Sequence, residues 1–514
     1  MDRRTFVGAL AGVTLGAPAL LRAQQLFTAY PFALGVAAGD PAPDGFVIWT
    51  RLAPDPLVPH GGMPMGNVAV DWEVAADHGF RTIVAKGSAL ARPELAHSIH
   101  VEVGGLLPGR PYWYRFAVGS ETSPHGTART TVPRGTRLDR LRLGVVGCQN
   151  YEQGWFTAYR HIADEPELDF IFHYGDYIYE GRSSGMVFGE GGKAQPDVRS
   201  HVGGEIYSLD DYRRRYAQYK SDPNLQAAHA SCAWWVTFDD HEVQDNYAGL
   251  TDKHLTPPEI FALRRAAAYQ AWYEHMPVRA TALPNGPNIQ MYRRARYGDL
   301  VEMHFLDTRQ FRTDQPCGDE TKPYCAGIDD PKAQMIGPAE ERWLAQGLRG
   351  GARWNGIAQQ VMMMPLNRRT GDERETIYNV DSWAGYNAPR ERVLEMFKGL
   401  GNVVVLTGDE HQNWAGEVRR DRGRGEAVAA EFVVTSIASG GDGSDKSAAM
   451  DAILAENPAL KFYNSQRGYA LCEVTPDAWE TRLRVVEKVS QPGMPIATRA
   501  TITVPHGRPE LHIA

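Results

Sequence analysis

At 514 residues the chain is long enough for two or three domains and a large buried core. Its 43% apolar and 23% charged residues are typical of folded globular proteins and exclude a disordered or low-complexity chain. The formal charge of -8 is spread without long runs of one sign, which argues against a nucleic-acid-binding surface.

Residues 1–23 read as a twin-arginine export signal. Arg3 and Arg4 precede a mildly apolar stretch, with Ala17-Pro18-Ala19 as a small-residue cleavage site and Ala23 as an alternative. A membrane anchor is the competing reading, but Gly8, Gly12, Gly16 and Pro18 suit a helix interior poorly, and the stretch is shorter than the ~20 residues of a span. The expectation is a periplasmic or secreted protein with no stable membrane span. Because twin-arginine cargo travels folded, often with its metal inserted, a metal site is already hinted at.

Residues 27–135 are expected to form an all-β domain of fibronectin or immunoglobulin-like type. Strand-like runs at 46–50, 68–74 and 112–118 are separated by Pro- and Gly-bearing turns, and helical periodicity is absent. Residues 131–140, with Pro133 and Gly135, read as a linker. From 139 to 500 the pattern becomes α/β, with strands expected at 141–147, 170–174, 233–238, 301–306, 357–364, 403–407 and 432–437, and helices at 260–275 and 338–348. The Gly-rich stretch 181–204 is either a loop over the site or plain surface, and 501–514 is expected as a C-terminal tail.

Five cysteines are too few for a disulfide-built scaffold. Cys317 and Cys325 flank a polar loop that a bridge could close in an oxidising compartment, two ordinary thiols being the alternative. Cys232 and Cys472 lie in apolar runs and read as core. Cys148 differs, because it opens one of several polar clusters at strand ends, where active sites of α/β folds gather. The others are Gly175-Asp176-Tyr177-Ile178-Tyr179, Asp239-Asp240-His241-Glu242, Asp307-Thr308-Arg309 and Gly408-Asp409-Glu410-His411. Carboxylates, imidazoles, a phenol and a thiol are metal-ligand types, and burying so many ionisable groups is costly unless cations compensate them.

In order and content these motifs, with Phe32 to Pro41 and Val47-Ile48-Trp49-Thr50-Arg51, resemble the PhoD-like alkaline phosphatases of the calcineurin-like metallophosphatase superfamily. The resemblance implies a metallophosphatase-type β-sandwich flanked by helices. It implies a ferric ion on Cys148, Asp176, Tyr179 and His411, with Asp176 shared with a second site, and calcium on Asp240 and Asp409. Asp240 and Asp409 stand where the wider superfamily has an amide and an imidazole, and hard oxygen donors suit calcium better than zinc. Gln360 stands where that superfamily expects a histidine and could ligate or contact phosphate, and Asn246 is a second candidate substrate contact. His241 would stabilise the transition state or protonate the leaving alkoxide, and Arg309 would offer a planar fork to phosphate, unless it is a structural arginine paired with Asp307 or Asp314.

The implied reaction is hydrolysis of phosphate monoesters and diesters by metal-activated water. Two other readings stay open: a phospholipase D-like diesterase acting on lipid or wall-polymer headgroups, and an extracellular polymer-binding protein that has lost catalysis.

Overall fold

The protein is represented by a computed structural model that describes residues 27, 29–188, 194–369, 375–446 and 449–514. The export signal read at residues 1–23 lies outside the described residues. The fold is mixed α/β, built on two large sheets.

The first, ten-stranded sheet is centred on Leu141–Val146, Phe170–His173 and Ala233–Val236, which pair in parallel. The second, seven-stranded sheet is centred on Val301–Phe305, Trp354–Ala358, Val403–Thr407 and Ala427–Val433, again in parallel. These strands are buried almost throughout and mostly apolar because both their faces are covered. Leu143, Val145 and Phe172 of one sheet meet Met303, Phe305, Val404 and Leu406 of the other in a shared core. The alternate residues face helices. Val146 and Ile171 pack on Tyr159, Tyr212, Tyr216 and Trp272, while Val403 and Val405 pack on Leu344, Val393 and Phe397. The layer order is therefore helices, sheet, sheet, helices, and each large core side chain withdrawn from water contributes about 1.5–3 kcal/mol.

Parallel pairing has a consequence for the site. Successive parallel strands end on the same side, so the loops after 146, 173, 236, 305, 358 and 407 collect at one edge.

Between residues 29 and 140 the described residues contain strands and short 3-10 turns but no α-helix. Strands Ile83–Ala91, Val68–Ala75, Pro111–Val118, Glu121–Thr122 and Gly126–Arg129 form one five-stranded sheet. Strands Val36–Ala42, Gly45–Arg51 and Ser98–Val103 pack against it through Phe46, Ile48, Val70, Tyr114 and Phe116, and they also extend the ten-stranded sheet. The junction is a parallel pairing of Ala38 with Ala233 and Gly39 with Trp234. The N-terminal region is thus joined to the rest by backbone hydrogen bonding as well as by the linker.

Most expected elements form within a few residues. The strand expected at 357–364 stops at Ala358, and that expected at 432–437 is Ala427–Val433. Helices Leu209–Lys220 and Pro223–Ser231 were not anticipated, although the first carries a Ser208/Asp211 capping box and the second an Asp222 cap followed by proline. At the C-terminus, residues 501–505 belong to strand Ile496–Pro505, which pairs along Ala478–Val486. Cys317 and Cys325 are disulfide-bonded, and Cys148, Cys232 and Cys472 are buried free thiols.

Candidate metal centre

Glycines shape the floor of the site. Tyr174 donates its hydroxyl to Thr435 O (2.9 Å), and its ring lies flat against Gly147 and Gly408, where a Cβ on either would overlap it. Gly175 has a φ of 136° and faces Asp239, so it too tolerates no side chain. The residues that follow these glycines reverse the chain sharply. Cys148, Asp176, Asp409 and His411 all have positive φ (49°, 56°, 67° and 56°), a conformation that costs a non-glycine residue about 1–3 kcal/mol and clusters at functional sites. Backbone bonds between loops hold them there: Cys148 N donates to Gly175 O, Gln149 N to Asp176 O and Gly408 N to Gln360 O.

The first donor cluster joins three loops. Cys148 Sγ lies 3.3 Å from Asp176 Oδ2, which also accepts from the Tyr179 hydroxyl at 2.9 Å. The Tyr179 oxygen is 3.2 Å from His411 Nε2 and accepts from Ser439 Oγ at 2.6 Å. Burial, reinforced by neighbouring acidic groups, pushes the Cys148 thiol, the Tyr179 phenol and the Asp176 carboxyl well above their usual values. Burial, with help from Arg467, pushes the His411 imidazole down to about 3. A cation bound among them would favour the ionised thiol, phenol and acid.

The second cluster is acidic. Asp239, Asp240 and Asp409 surround Arg309, which is fully buried. The Arg309 Nε donates to Asp239 and Nη1 to Asp381 (2.9 Å), leaving Nη2 at 3.6 Å from Asp240 and 3.8 Å from Asp409. Asp240 Oδ2 accepts from Asn246 N at 2.6 Å. Burial opposes the charge on Asp240, but Arg309 and His241 outweigh it and hold that carboxyl below its usual range. Burial dominates at Asp239, which is pushed up to about 6.

Donor atoms fall into three groups, each within 4.8 Å: Cys148, Asp176 and His411; Asp176, Asp240 and His241; and Asp239, Asp240 and Asp409. Asp176 and Asp240 are each shared, so the groups form one continuous run. Asp176 Oδ1, Asp239 Oδ2 and Asp240 Oδ1 are buried without hydrogen-bond partners. Buried carboxylate oxygens are rarely left so, and a donor set of this kind fits a metal: sulfur, phenol and imidazole for a transition metal at one end, carboxylates for a hard cation at the other.

His241 lies within this run. Its Nδ1 is 2.7 Å from Glu180 Oε2, and its ring sits 4.0 Å from that of Tyr179. Burial works against its charge, but Glu180, Asp240 and Asp176 prevail and hold the imidazole well above its usual value.

Three expected contacts are placed differently. Arg309 pairs with Asp239 and Asp381 rather than Asp307 or Asp314, and with two of its three nitrogens committed it cannot present a free fork. Asn246 meets Asp240 through its backbone N–H, while its side-chain amide donates to Asp319 at 2.9 Å. Gln360 stays outside the donor run: its Oε1 accepts from Thr308 N and Oγ1, and its Nε2 donates to Leu306 O.

Sequence reasoning passed over Asp239, Glu180, Asp381 and Ser439. Asp239 stood within the quoted motif and Glu180 directly after another, so both were findable. Asp381 and Ser439 lie outside every motif and are recruited by the fold alone.

Residues 143–483 match the PhoD-like phosphatase family, and residues 17–132 match its N-terminal domain. The chain is 48% identical to alkaline phosphatase D of Bacillus subtilis (strain 168) over 97% of its own length and 87% of that relative. A solved structure of PhoD, also 48% identical, covers 95% of this chain and 93% of its own with a TM-score of 0.91. The purple acid phosphatase PPD1 from yellow lupin (Lupinus luteus) seeds is 10% identical, with 91% of this chain and 74% of that one covered at a TM-score of 0.55, a likeness of fold alone.

Proposed function

The chain belongs to the PhoD-like phosphatases, and on that premise we propose that it is a metal-dependent alkaline phosphatase that hydrolyses phosphomonoesters, and phosphodiesters too, by attack of water on phosphorus. The observation that carries the proposal is the run of donor groups joined through Asp176 and Asp240. Iron would be held by Cys148, Asp176, Tyr179 and His411, and calcium by Asp240 and Asp409. Bound there, the ions supply positive charge that acidifies water and offsets the repulsion of the phosphate oxygens.

The chain's own residues supply the remainder. His241 is oriented by Glu180 at Nδ1 and held against the Tyr179 ring, so its other nitrogen can give a proton to the departing alkoxide. Arg309 balances Asp239 and Asp381 and turns Nη2 toward Asp240 and Asp409, so it limits the charge of the acidic cluster and does not grip the substrate.

The four-layer order and the likeness to a purple acid phosphatase support a metallophosphatase-type sandwich, and the all-strand region at 36–129 supports a fibronectin or immunoglobulin-like N-terminal domain. The Cys317–Cys325 bond supports export to an oxidising compartment, in line with the twin-arginine reading. The test is turnover of a chromogenic phosphomonoester and a diester, from neutral to alkaline pH, before and after chelation. Hydrolysis that is abolished by chelation and restored by iron and calcium is expected; undiminished turnover in metal-stripped protein would refute the proposal.

A further inference from the structure

Glu242 is fully buried, and among the described residues its carboxylate forms no salt bridge. It accepts three backbone hydrogen bonds instead. Oε2 takes Asp176 N at 3.1 Å and Asp239 N at 2.8 Å, and Oε1 takes Tyr177 N at 2.5 Å. One oxygen therefore bridges the loop after Phe170–His173 to the loop after Ala233–Val236. Those loops carry Asp176 and Asp240, the two residues shared between donor groups. Asp176 has positive φ, so its side-chain direction depends on such outside restraint. Other acceptors could satisfy these N–H groups singly, but only a carboxylate on a short turn joins all three at once.

We propose that Glu242 is a positioning residue that pins the Asp176 loop to the Asp239–Asp240 loop and so sets the spacing between the transition-metal and hard-cation ends of the centre. This rests on the metal-centre reading above. The carboxylate lies outside the donor groups and acts through the backbone of Asp176 and of its neighbours Tyr177 and Asp239. Glutamine keeps the volume but has one carbonyl oxygen, so its NH2 must oppose one of the three N–H groups; alanine removes all three acceptors.

The test compares Glu242→Gln and Glu242→Ala with the wild-type full chain. In metal-depleted protein, backbone amide exchange should rise at least tenfold at one or more of Asp176, Tyr177 and Asp239 in Glu242→Gln, while exchange in the sheet cores stays unchanged. After reconstitution with iron and calcium, the variant should bind the second cation at least tenfold more weakly and lose kcat by a similar factor with KM within threefold. Normal exchange at those three amides, or full cation content and kcat in a variant that merely melts earlier, would overturn the proposal. If Glu242→Ala fails to fold, Glu242→Gln carries the comparison alone. A wild-type chain that takes up no cation would instead refute the metal-centre reading, and the exchange experiment would still decide whether the clamp exists.

Discussion

The hydroxyl of Tyr179 donates to Asp176 Oδ2 at 2.9 Å, and both side chains are buried. The phenol and the carboxyl stand three positions apart, and both are among the groups proposed to hold iron. Cys148 Sγ lies 3.3 Å from the same carboxylate oxygen, so thiol, phenol and acid converge on one point.

The close fit of Tyr174 between two glycines predicts intolerance to one methyl group. Gly408→Ala places a Cβ into the Tyr174 ring, and overpacking of this kind costs about 1–3 kcal/mol. Urea denaturation should show a lower midpoint with an unchanged slope, and wild-type stability would contradict the packing described.

Arg309 is the buried counter-charge of Asp239 and Asp381, and removing one partner of a buried ion pair costs about 3–5 kcal/mol. Arg309→Gln should therefore be strongly destabilised in calcium-free buffer. Excess calcium should recover part of that loss, because it supplies positive charge to the same carboxylates. A melting temperature that falls equally with and without calcium would show that the acidic cluster does not take the ion.

Outside the donor groups, His304 predicts a specific pH response. Its Nδ1 accepts from Arg294 Nε, its Nε2 lies 3.3 Å from Asn355 Oδ1, and burial, with Arg294 adding, pushes the imidazole down to about 3. The folded value is below the unfolded value of about 6.5, so the unfolded chain binds the proton first. Stability from this group is complete above pH ~6.5 and falls by about 1.4 kcal/mol per pH unit as the pH drops toward 3. Denaturation of His304→Gln at several pH values should show a shallower decline by that amount; an unaltered slope would mean His304 is protonated in the fold.

Much of the centre was legible because each ligand motif follows an apolar strand, and parallel strands deliver their ends to one edge. Cys148, Asp176, Tyr179, Asp240, Asp409 and His411 converge for that reason. What escaped was set by contacts between distant segments. Gln360 stands where the resemblance expects a histidine and read as a ligand or a phosphate contact, but Thr308 claims its carbonyl oxygen. Arg309 looked like a phosphate fork, but Asp381, in no recognisable motif, occupies one arm. The pairing of Ala38 with Ala233 leaves no trace in local periodicity, so the sheet that the N-terminal region shares with the rest was not legible.

The central claim is that Cys148 and its neighbours hold an ion on which hydrolysis depends. Iron per chain, measured by elemental analysis on purified wild type and Cys148→Ala alongside phosphomonoester turnover, tests it most directly. Iron in the wild type, with iron and most turnover lost together in a variant that remains folded, is the predicted result. Equal iron content and equal turnover in the two proteins would contradict the account.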